Sequence, residues 1–386
     1  MRLVFLCSGL EPGRDGVGDY ARLLAAHCAA QGHEVRLASV RDPFCAAATK
    51  SGMEFRAPDI FQNPAEAREL AVWLHEFRPD WASVQFTPFG FHPRGLGGKR
   101  ASFLREIQPA ATRRHIMLHE IWLQPGRDGP LRHRALGWAQ RRSVDAWINT
   151  GWKPEVIHTQ ARLHRVRLQA RGANVELLPL CSTIPPQDIS PSSARLMVVQ
   201  HLIKAGSLPQ SIDESAIWLG HFGTLHNQEW DFSKFAATVS ELAAQVGKRV
   251  CFHALGRGQT IARAWAEAAR AVPKADFHVH GELPEEKISV MMKACNAAFT
   301  STPWDIVEKS GTVAAWRAMG VPVLVARVGA TNAGQLPPWP DPGLILFENG
   351  RQKSPLPFER VPGPAFLDPA YSAKTFLTAL ANAPRP

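Results

Sequence analysis

Short apolar runs alternate with amphipathic segments along most of this chain. In the first half, the runs that are typical of buried strands lie at 2–7, 34–39, 81–85, 115–119, 146–150 and 175–178. Between them, residues 19–31 and 64–77 repeat apolar side chains at helical spacing. This alternation predicts a parallel sheet that is covered by helices on both faces.

The same alternation returns after a proline- and serine-rich passage at 182–193. Strands are predicted at 216–223, 249–255, 276–280, 297–300 and 322–326, and helices at 233–246, 260–271, 285–293 and 311–319. From 329 to 368 prolines are frequent, so loops with one short strand at 344–347 are expected. The final helix is predicted at 370–381.

These elements divide the chain into two domains. We predict an N-terminal domain at 1–190, a second domain at 191–368, and a C-terminal helix at 369–386 that returns to the first domain. The predicted fold class is α/β, with two doubly wound, Rossmann-like domains. Because ligands bind at the carboxyl ends of the strands in such sheets, the two domains are expected to face each other across a cleft.

Composition and charge narrow the class of protein. A chain of 386 residues that is 45% apolar and 20% charged is typical of a folded, two-domain globular protein. No apolar run approaches the roughly 20 residues of a bilayer-spanning helix, and no basic leader precedes the first strand, so we expect a cytoplasmic protein. The net charge of +10 favours an anionic partner such as a nucleoside diphosphate, a lipid phosphate, a membrane surface or a nucleic acid.

Cysteines and histidines give no sign of a metal site. Six cysteines are scattered without short paired spacing, so buried, reduced thiols are expected rather than a zinc site or disulfides. His278 and His280 alternate on one predicted strand, but no carboxylate or further histidine follows at a fixed short spacing. Alternate strand positions face the same way in any sheet, so we predict no bound metal.

A glycine-bearing loop follows the first strand, ahead of a helix that is expected to begin near Asp19. Gly16 and Gly18 would let the backbone pass close to a ligand, and the free N–H groups of the helix start would attract a phosphate. A plain tight turn explains the same glycines. The loop is therefore a hypothetical phosphate site.

Taken as a whole, the N-terminal segment, with GVGDY, GHEV and RPDWASVQFTPFGFHPRGLG, resembles the opening of family 4 and related GT-B glycosyltransferases. The resemblance implies that His119, in MLHEIW, hydrogen-bonds the donor sugar and responds to the charge that develops as the glycosidic bond breaks. It also assigns Asp15, Gln85 and His92 to the acceptor side. The alternative for His119 is a strand-end histidine that is bonded to the backbone.

A second segment, DIVEKSGTVAAWRAMGVPVLV, resembles the signature of the same superfamily: an acid, a glycine loop, a helix and a G-x-P-V turn. Glu308 would be the first acid of a Glu-x7-Glu motif and would bind donor sugar hydroxyls. The helix that opens at Lys309, Ser310 and Gly311 would receive the diphosphate on its N–H groups. Trp316 stands where the family has the second acid, which holds the ribose hydroxyls, and we assign it to the nucleobase and ribose part of the site.

Two further segments resemble parts of the family's donor domain. WLGHFGTLHNQEWDF would turn Gly223 and Thr224 toward the phosphates, but it lacks the family's Arg and Lys. Either Lys234 or Arg257 is expected to supply the missing cation, because a phosphate needs a positive charge within reach. FHVHGELPEEKISV resembles the base-binding strand. The residues that would contact the nucleobase there are Gly281, Glu282 and Leu283.

The resemblance implies a glycosyltransferase that moves a sugar from a nucleoside diphosphate donor to an acceptor. The acceptor, a glycan, a lipid-linked or a small molecule, is not named by the sequence. Retention of configuration and independence of metals and other cofactors are implied by the family. Two alternatives stay open: an inactive GT-B scaffold, which Trp316 and the missing Arg/Lys pair favour, and a sugar-nucleotide epimerase or hydrolase.

One predicted helical stretch is rich in arginine. It carries Arg132, Arg134, Arg141 and Arg142. Such runs are usually solvated helix faces, and we expect no nucleic-acid partner. Peripheral contact with an anionic membrane is the preferred hypothesis for this stretch.

Overall fold

The computed structural model describes residues 1–123, 130–204, 216–225, 230–256, 258–329, 341–347 and 358–384. The chain divides into two compact units. One comprises Met1–Cys181 with Asp368–Pro386, and the other is Ser182–Leu367. The change of unit after Cys181 precedes the boundary that was predicted at residue 190.

A largely parallel sheet forms the centre of the first unit. Its strands are β1 Arg2–Cys7, β2 Glu34–Ser39, β3 Thr49–Lys50, β4 Glu54–Arg56, β5 Trp81–Phe86, β6 Arg113–Leu118, β7 Val156–Thr159 and β8 Glu176–Leu177. The order across the sheet is β3-β4-β2-β1-β5-β6-β7-β8, and only β3 with β4 is antiparallel among the described pairs. The central strand β5 is buried along its whole length, because helices cover both faces.

Seven described helices belong to the first unit. They are α1 Gly16–Ala30, α2 Pro64–Phe77, α3 Pro88–Phe91, α4 Gly98–Glu106, α5 Leu131–Asp145, α6 Arg162–Gln169 and, from the end of the chain, α12 Pro369–Asn382. The α2 and α12 starts have the same chemistry: a polar N-cap, Asn63 or Asp368, accepts from the first turn, and a proline follows. The ring of Phe376 in α12 lies 5.7 Å from that of Phe5, so this helix packs on the first sheet.

The strand that was predicted at 146–150 is wrong. Residues Ala146–Thr150 form a turn of π-helix that continues directly from α5. Trp147 is buried there, with its ring 5.1 Å from both Phe86 and Phe91. The apolar run is therefore buried in helical form, which a short apolar run alone does not distinguish from a strand. The strand at this point of the sheet is instead β7.

A six-stranded parallel sheet forms the second unit among the described residues. Its strands are β9 Ile217–Phe222, β10 Val250–Leu255, β11 Asp276–Gly281, β12 Ala297–Thr300, β13 Val323–Val325 and β14 Leu344–Leu346, in the order β11-β10-β9-β12-β13-β14. Its helices are α7 Pro191–Lys204, α8 Phe232–Ala244, α9 Gln259–Ala271, α10 Glu285–Ala294 and α11 Gly311–Ala318. Two apolar clusters, one on each face of the sheet, make its core.

Helix α9 illustrates how the sequence pattern produces this packing. Its buried residues are Ile261, Ala264, Trp265 and Ala268, which follow the i, i+3, i+4, i+7 spacing of one helix face. The Trp265 ring stacks on Phe232 of α8 at a centroid distance of 4.2 Å. The apolar stripe of the sequence is thus the face that covers the sheet.

Two general expectations can be compared with the described part of the chain. The six cysteines are free thiols, and four of them are buried: Cys7, Cys28, Cys181 and Cys295. No described helix combines the length and the apolar character that crossing a membrane requires.

Candidate functional site

Bare backbone forms the carboxyl edge of the second sheet. Gly223 follows β9 with a φ of 91°, and Gly256 follows β10 with a φ of 108°, values that favour glycine. The Gly223 N–H donates to Leu255 O at 3.0 Å, and the Gly256 N–H donates to Gly281 O at 2.8 Å. A side chain on Gly256 would begin 3.3 Å from the Gly223 nitrogen. The ends of three neighbouring strands therefore meet with no side chain between them.

The N-terminus of α11 lies against this edge. A Cβ on Gly223 would come 2.8 Å from the Thr312 methyl group, which places the first turn of α11 beside the loop after β9. Ser310 is the N-cap, and its hydroxyl accepts from the Val313 N–H at 3.4 Å. A helix N-terminus presents N–H groups and the positive end of the helix dipole. This corner of the unit is suited to an anionic ligand such as a phosphate.

Glu308 and Lys309 come directly before this helix, at the end of a 3-10 segment, Trp304–Lys309. The Glu308 side chain is buried, whereas Lys309 and Gly311 are half-buried. Since Ser310 caps the helix that follows them, the chain itself brings an acid and a cation to the N-terminus of α11.

Other predicted donor-side residues have varied surroundings. Thr224 and Glu282 are exposed, and Leu283 is half-buried in the turn between β11 and α10. Lys234 is exposed in the first turn of α8, where its backbone N–H donates to Asp231. Arg257 lies outside the described residues. Among the predicted cations, Lys309 is the one that directly precedes α11 in the described chain.

Trp316 belongs to the core of the second unit. Its side chain is 1% exposed, and a Cβ on Gly220 of β9 would overlap its indole ring. A contact with a ribose would require the ring to leave the core. The structure therefore gives Trp316 a packing role, in contrast to the predicted one, because the helix face that carries it is turned to the sheet.

The neighbouring residue, Arg317, forms a buried ion pair with Asp341 that no local sequence pattern predicts. Its guanidinium donates to Asp341, with Nε 2.9 Å from Oδ2 and Nη2 2.8 Å from Oδ1. It also donates to the carbonyl groups of Val321 and Val361 at 2.9 and 3.1 Å. These bonds tie the C-terminal turn of α11 to two later segments, and so they fix the direction in which its N-terminus points.

In the first unit, His119 follows β6 at the carboxyl edge of the sheet. Its N–H donates to Phe86 O at 3.0 Å, which extends the strand pairing by one residue. Its ring Nε2 lies 2.9 Å from Gln85 Oε1, and the Tyr20 ring contacts it edge-on at 5.2 Å. Gln85 was predicted on the acceptor side, but it is fully buried and its amide bonds within the protein. Its amide oxygen contacts the His119 ring.

The predicted phosphate loop of the first unit contains a carboxylate instead. Helix α1 begins at Gly16, because Asp15 is its N-cap and accepts from the N–H groups of Val17 and Gly18 at 3.0 and 3.1 Å. Burial raises the pKa of Asp15, and Asp42 raises it further. Since the carboxylate takes the place that a phosphate would need, the structure gives this turn a capping role.

Close packing of α1 explains why a glycine stands at position 18. A Cβ there would lie 2.7 Å from Gly9 O, so the glycine allows α1 to approach the loop after β1. Gly16 has open space around its Cβ position, and no close approach requires glycine there. Neither glycine is therefore evidence for a bound ligand in this turn.

His92, the remaining acceptor-side residue, lies in a basic neighbourhood. Its Nδ1 accepts from the N–H groups of Arg94 and Leu96, both at 3.1 Å. Burial lowers the pKa of His92, and the charges of Arg100, Arg41 and Arg94 lower it further. A neutral imidazole among guanidinium groups is the result.

No protein-family model matches this chain, and no curated protein matches its sequence. Solved structures do match. Sucrose-phosphate synthase from Thermosynechococcus elongatus superposes with a TM-score of 0.58 at 14% identity, over 99% of this chain and 90% of that chain. Anabaena HepE in complex with UDP and glucose gives a TM-score of 0.52 at 14% identity, over 99% of this chain and 91% of that one.

The protein has the GT-B fold. UDP-GlcNAc 2-epimerase from Methanocaldococcus jannaschii also matches, with a TM-score of 0.51 at 10% identity over 99% of both chains. At these identities the likeness concerns the fold. The predicted fold class, two doubly wound α/β domains of the GT-B type, is confirmed.

Within this GT-B protein, the structure gathers some predicted residues and separates others. Gly223, Gly281 and the residues that open α11 meet at one edge of the second sheet. No described group of three or more His, Cys, Asp and Glu side chains could hold a metal ion. Sequence reasoning missed Gly256, although a glycine directly after an apolar strand is a signal that could have found it.

Proposed function

We propose that this protein is a glycosyltransferase that takes a sugar from a nucleoside diphosphate donor. The observation that carries the proposal is the corner where Gly223 and Gly256 leave bare backbone beside the N-terminus of α11, directly after Glu308 and Lys309. A diphosphate is complementary to the positive end of this helix and to Lys309 in charge. The relationship to family 4, with Glu308 as the first acid of its motif, is part of the proposal.

Each residue has a chemical task in this reaction. The bond between the anomeric carbon and the diphosphate breaks, and the leaving oxygen takes the electron pair. In this proposal the N–H groups of the α11 N-terminus and the Lys309 ammonium stabilise that charge without a metal ion, because fixed donors and cations favour a developing negative charge. The acceptor hydroxyl oxygen bonds to the anomeric carbon, and its proton passes to an oxygen of the departing diphosphate. Glu308 orients the sugar by accepting from its hydroxyls, and His119 hydrogen-bonds the same sugar.

Retention of configuration is proposed on the family resemblance, and so is a role for Gly281, Glu282 and Leu283 at the nucleobase. We assign ribose recognition to a group other than Trp316, since the Trp316 ring is buried. The backbone at the end of β11 is the best-placed alternative, because it adjoins Gly256 through a 2.8 Å hydrogen bond.

Calorimetric titration and thermal-shift measurement with UDP, GDP, ADP and their sugar conjugates test this function. One nucleotide should bind, and Glu308→Ala and Lys309→Ala should weaken it tenfold or more, about 1.4 kcal/mol. Glu286→Ala and Lys287→Ala, which remove exposed charges from α10 in the same unit, are matched controls and should bind as the wild type does.

The alternatives give different results in the same assay. Absence of binding at millimolar nucleotide would contradict the proposal and favour an inactive scaffold. A nucleotide sugar that is epimerised or hydrolysed without any acceptor would favour the second candidate, which the structural match to an epimerase supports.

The proposal includes peripheral contact with an anionic membrane through α5. Leu131 and Trp138, which are 78% and 55% exposed, lie two helical turns apart on one face. The Arg142 guanidinium lies 4.0 Å from the centre of the Trp138 ring. Helices that lie in the interface of anionic lipid bilayers typically combine exposed Leu and Trp side chains with arginines.

A further inference from the structure

A row of polar side chains crosses the buried interior of the first unit, beneath His119. His119 Nε2 is 2.9 Å from Gln85 Oε1, and Gln85 Nε2 donates to Ser83 Oγ at 2.7 Å. Ser83 Oγ is 2.7 Å from His115 Nδ1, and His115 Nε2 is 3.0 Å from His158 Nδ1. All five side chains are 6% exposed or less. The row therefore spans strands β5, β6 and β7 in the absence of bulk solvent.

Aromatic side chains from two helices cover this row. The Phe376 ring of α12 meets His115 edge-on at 5.0 Å, and the Tyr20 ring of α1 meets His119 at 5.2 Å. Polar groups in such surroundings are costly unless each one is hydrogen-bonded. An apolar row would fill the same space without that requirement. The row thus has a use other than filling the core.

The hydrogen bonds run in one direction. Gln85 Oε1 can only accept, so the ring proton of His119 is on Nε2. Ser83 accepts from the Gln85 amide, which leaves its hydroxyl proton for His115 Nδ1. With that assignment the His115 proton is on Nε2 and is donated to His158 Nδ1. Burial lowers the pKa of His115 well below its usual range and that of His158 to about 4, so both rings are neutral at neutral pH.

We infer that Gln85 is a positioning residue, and that the row from Gln85 to His158 fixes both the ring orientation and the Nε2–H tautomer of His119. In a neutral ring with its proton on Nε2, Nδ1 is the hydrogen-bond acceptor. His119 would then accept a hydrogen bond from a hydroxyl of the bound sugar, a step that rests on the proposed function. A donor at the same position would require the opposite tautomer.

Nitrogen NMR of the full chain with labelled histidine tests the tautomer without any substrate, and comparison with His119→Asn assigns the His119 signals. We expect the His119 proton on Nε2 in the wild type and a mixture of tautomers in Gln85→Leu. Gln85→Glu keeps an acceptor for Nε2–H and should recover the wild-type tautomer. A wild-type proton on Nδ1, or His119 signals that Gln85→Leu leaves unchanged, would overturn the inference.

Gln140→Leu is the matched control. Gln140 is another fully buried amide of the first unit, bonded to Leu123 N at 2.8 Å and to Arg94 O at 3.0 Å. Its removal should lower the stability of the unit as Gln85→Leu does, but leave the His119 signals in place. If Gln140→Leu changes the tautomer equally, general loosening of the unit explains the result and the row does not.

Kinetics separate this inference from the proposed function. With a donor and acceptor in hand, Gln85→Leu should lower kcat tenfold or more and change the KM for the donor less than threefold, with recovery in Gln85→Glu. Transfer by Gln85→Leu at the wild-type rate would overturn the positioning role. If the wild type binds no nucleotide sugar, the proposed function fails, and the NMR result still decides whether the row holds His119.

Discussion

Arg317 and Asp341 form a bidentate ion pair whose side chains are 1% and 2% exposed. The desolvation of two buried charges offsets most of their attraction, so such a pair contributes more to geometry than to stability. Here the geometry concerns α11, because Arg317 is in its last turn and Gly311 in its first. The pair holds in place the helix whose N-terminus is proposed to bind the diphosphate.

Substitution of one member of this pair should strongly destabilise the second unit. Asp341→Asn leaves the Arg317 charge buried without compensation, and we expect the free energy of unfolding of the second unit to fall by about 3–5 kcal/mol. Denaturant titration measures this change. Asp276→Asn removes the partner of Arg249 from a more exposed pair and should cost about 1 kcal/mol or less. Equal losses in the two variants would contradict a special role for the buried pair.

Substitutions at Gly220 and Trp316 should have coupled effects on the free energy of unfolding. In Gly220→Ala the new methyl group overlaps the Trp316 indole, so we expect a loss of about 1–3 kcal/mol from overpacking. Trp316→Phe in the same chain shortens the ring and should recover part of that loss, which a double-mutant cycle of unfolding free energies measures. Gly52→Ala, where the methyl group meets open space, is the control. Additive effects of the two substitutions would show that they do not touch.

The pH dependence of stability should reveal the buried histidines. The pKa of His158 falls from 6.5 to about 4 on folding, because burial disfavours the charged ring. As the pH falls below 6.5, the unfolded chain binds a proton that the folded chain excludes, so stability decreases. For His158 alone the decrease between pH 7 and pH 5 is on the order of 2 kcal/mol.

His158→Asn provides the comparison. The Asn amide oxygen keeps an acceptor near the Nδ1 position for His115, but it does not titrate. Denaturant titrations at pH 7 and pH 5 should therefore show a smaller loss in the variant than in the wild type. The same loss in both proteins would mean that folding does not lower the pKa of His158.

Membrane contact through α5 should depend on both an aromatic and a charge. Co-sedimentation with vesicles that contain phosphatidylserine should decrease several-fold in Trp138→Ala and in Arg142→Glu, and it should weaken as salt is raised. Arg270→Glu, which reverses an exposed charge on α9 of the second unit, is the charge-matched control. Binding that is insensitive to salt, or equally weakened by the control, would contradict this surface.

Much of the candidate site could be predicted from the sequence, because glycines and strand ends mark it. Apolar runs identified β9, β10 and β11, and the resemblance to the family's donor domain selected Gly223 and Gly281. The acid, lysine and serine before a helical stretch placed Glu308, Lys309 and Ser310 at the α11 N-terminus. These features are local, since an apolar run, a chain reversal and a helix start are each encoded within a few residues.

The tertiary structure decided what depends on distant neighbours. Residues 146–150 are apolar enough for a strand, yet Trp147 packs against Phe86 and Phe91 from a helical turn. The local pattern permits either a strand or a helical turn, and packing selects the helical turn.

By itself, then, the sequence determined the two doubly wound sheets and the loops at their carboxyl edges, because periodicity and glycine positions act locally. Only the tertiary structure decided that Gln85 faces His119, that Trp316 lies over Gly220, and that Arg317 reaches Asp341. Each of these contacts joins residues that are far apart in the chain, and side-chain shape, burial and charge pairing settle them only once the sheets have formed.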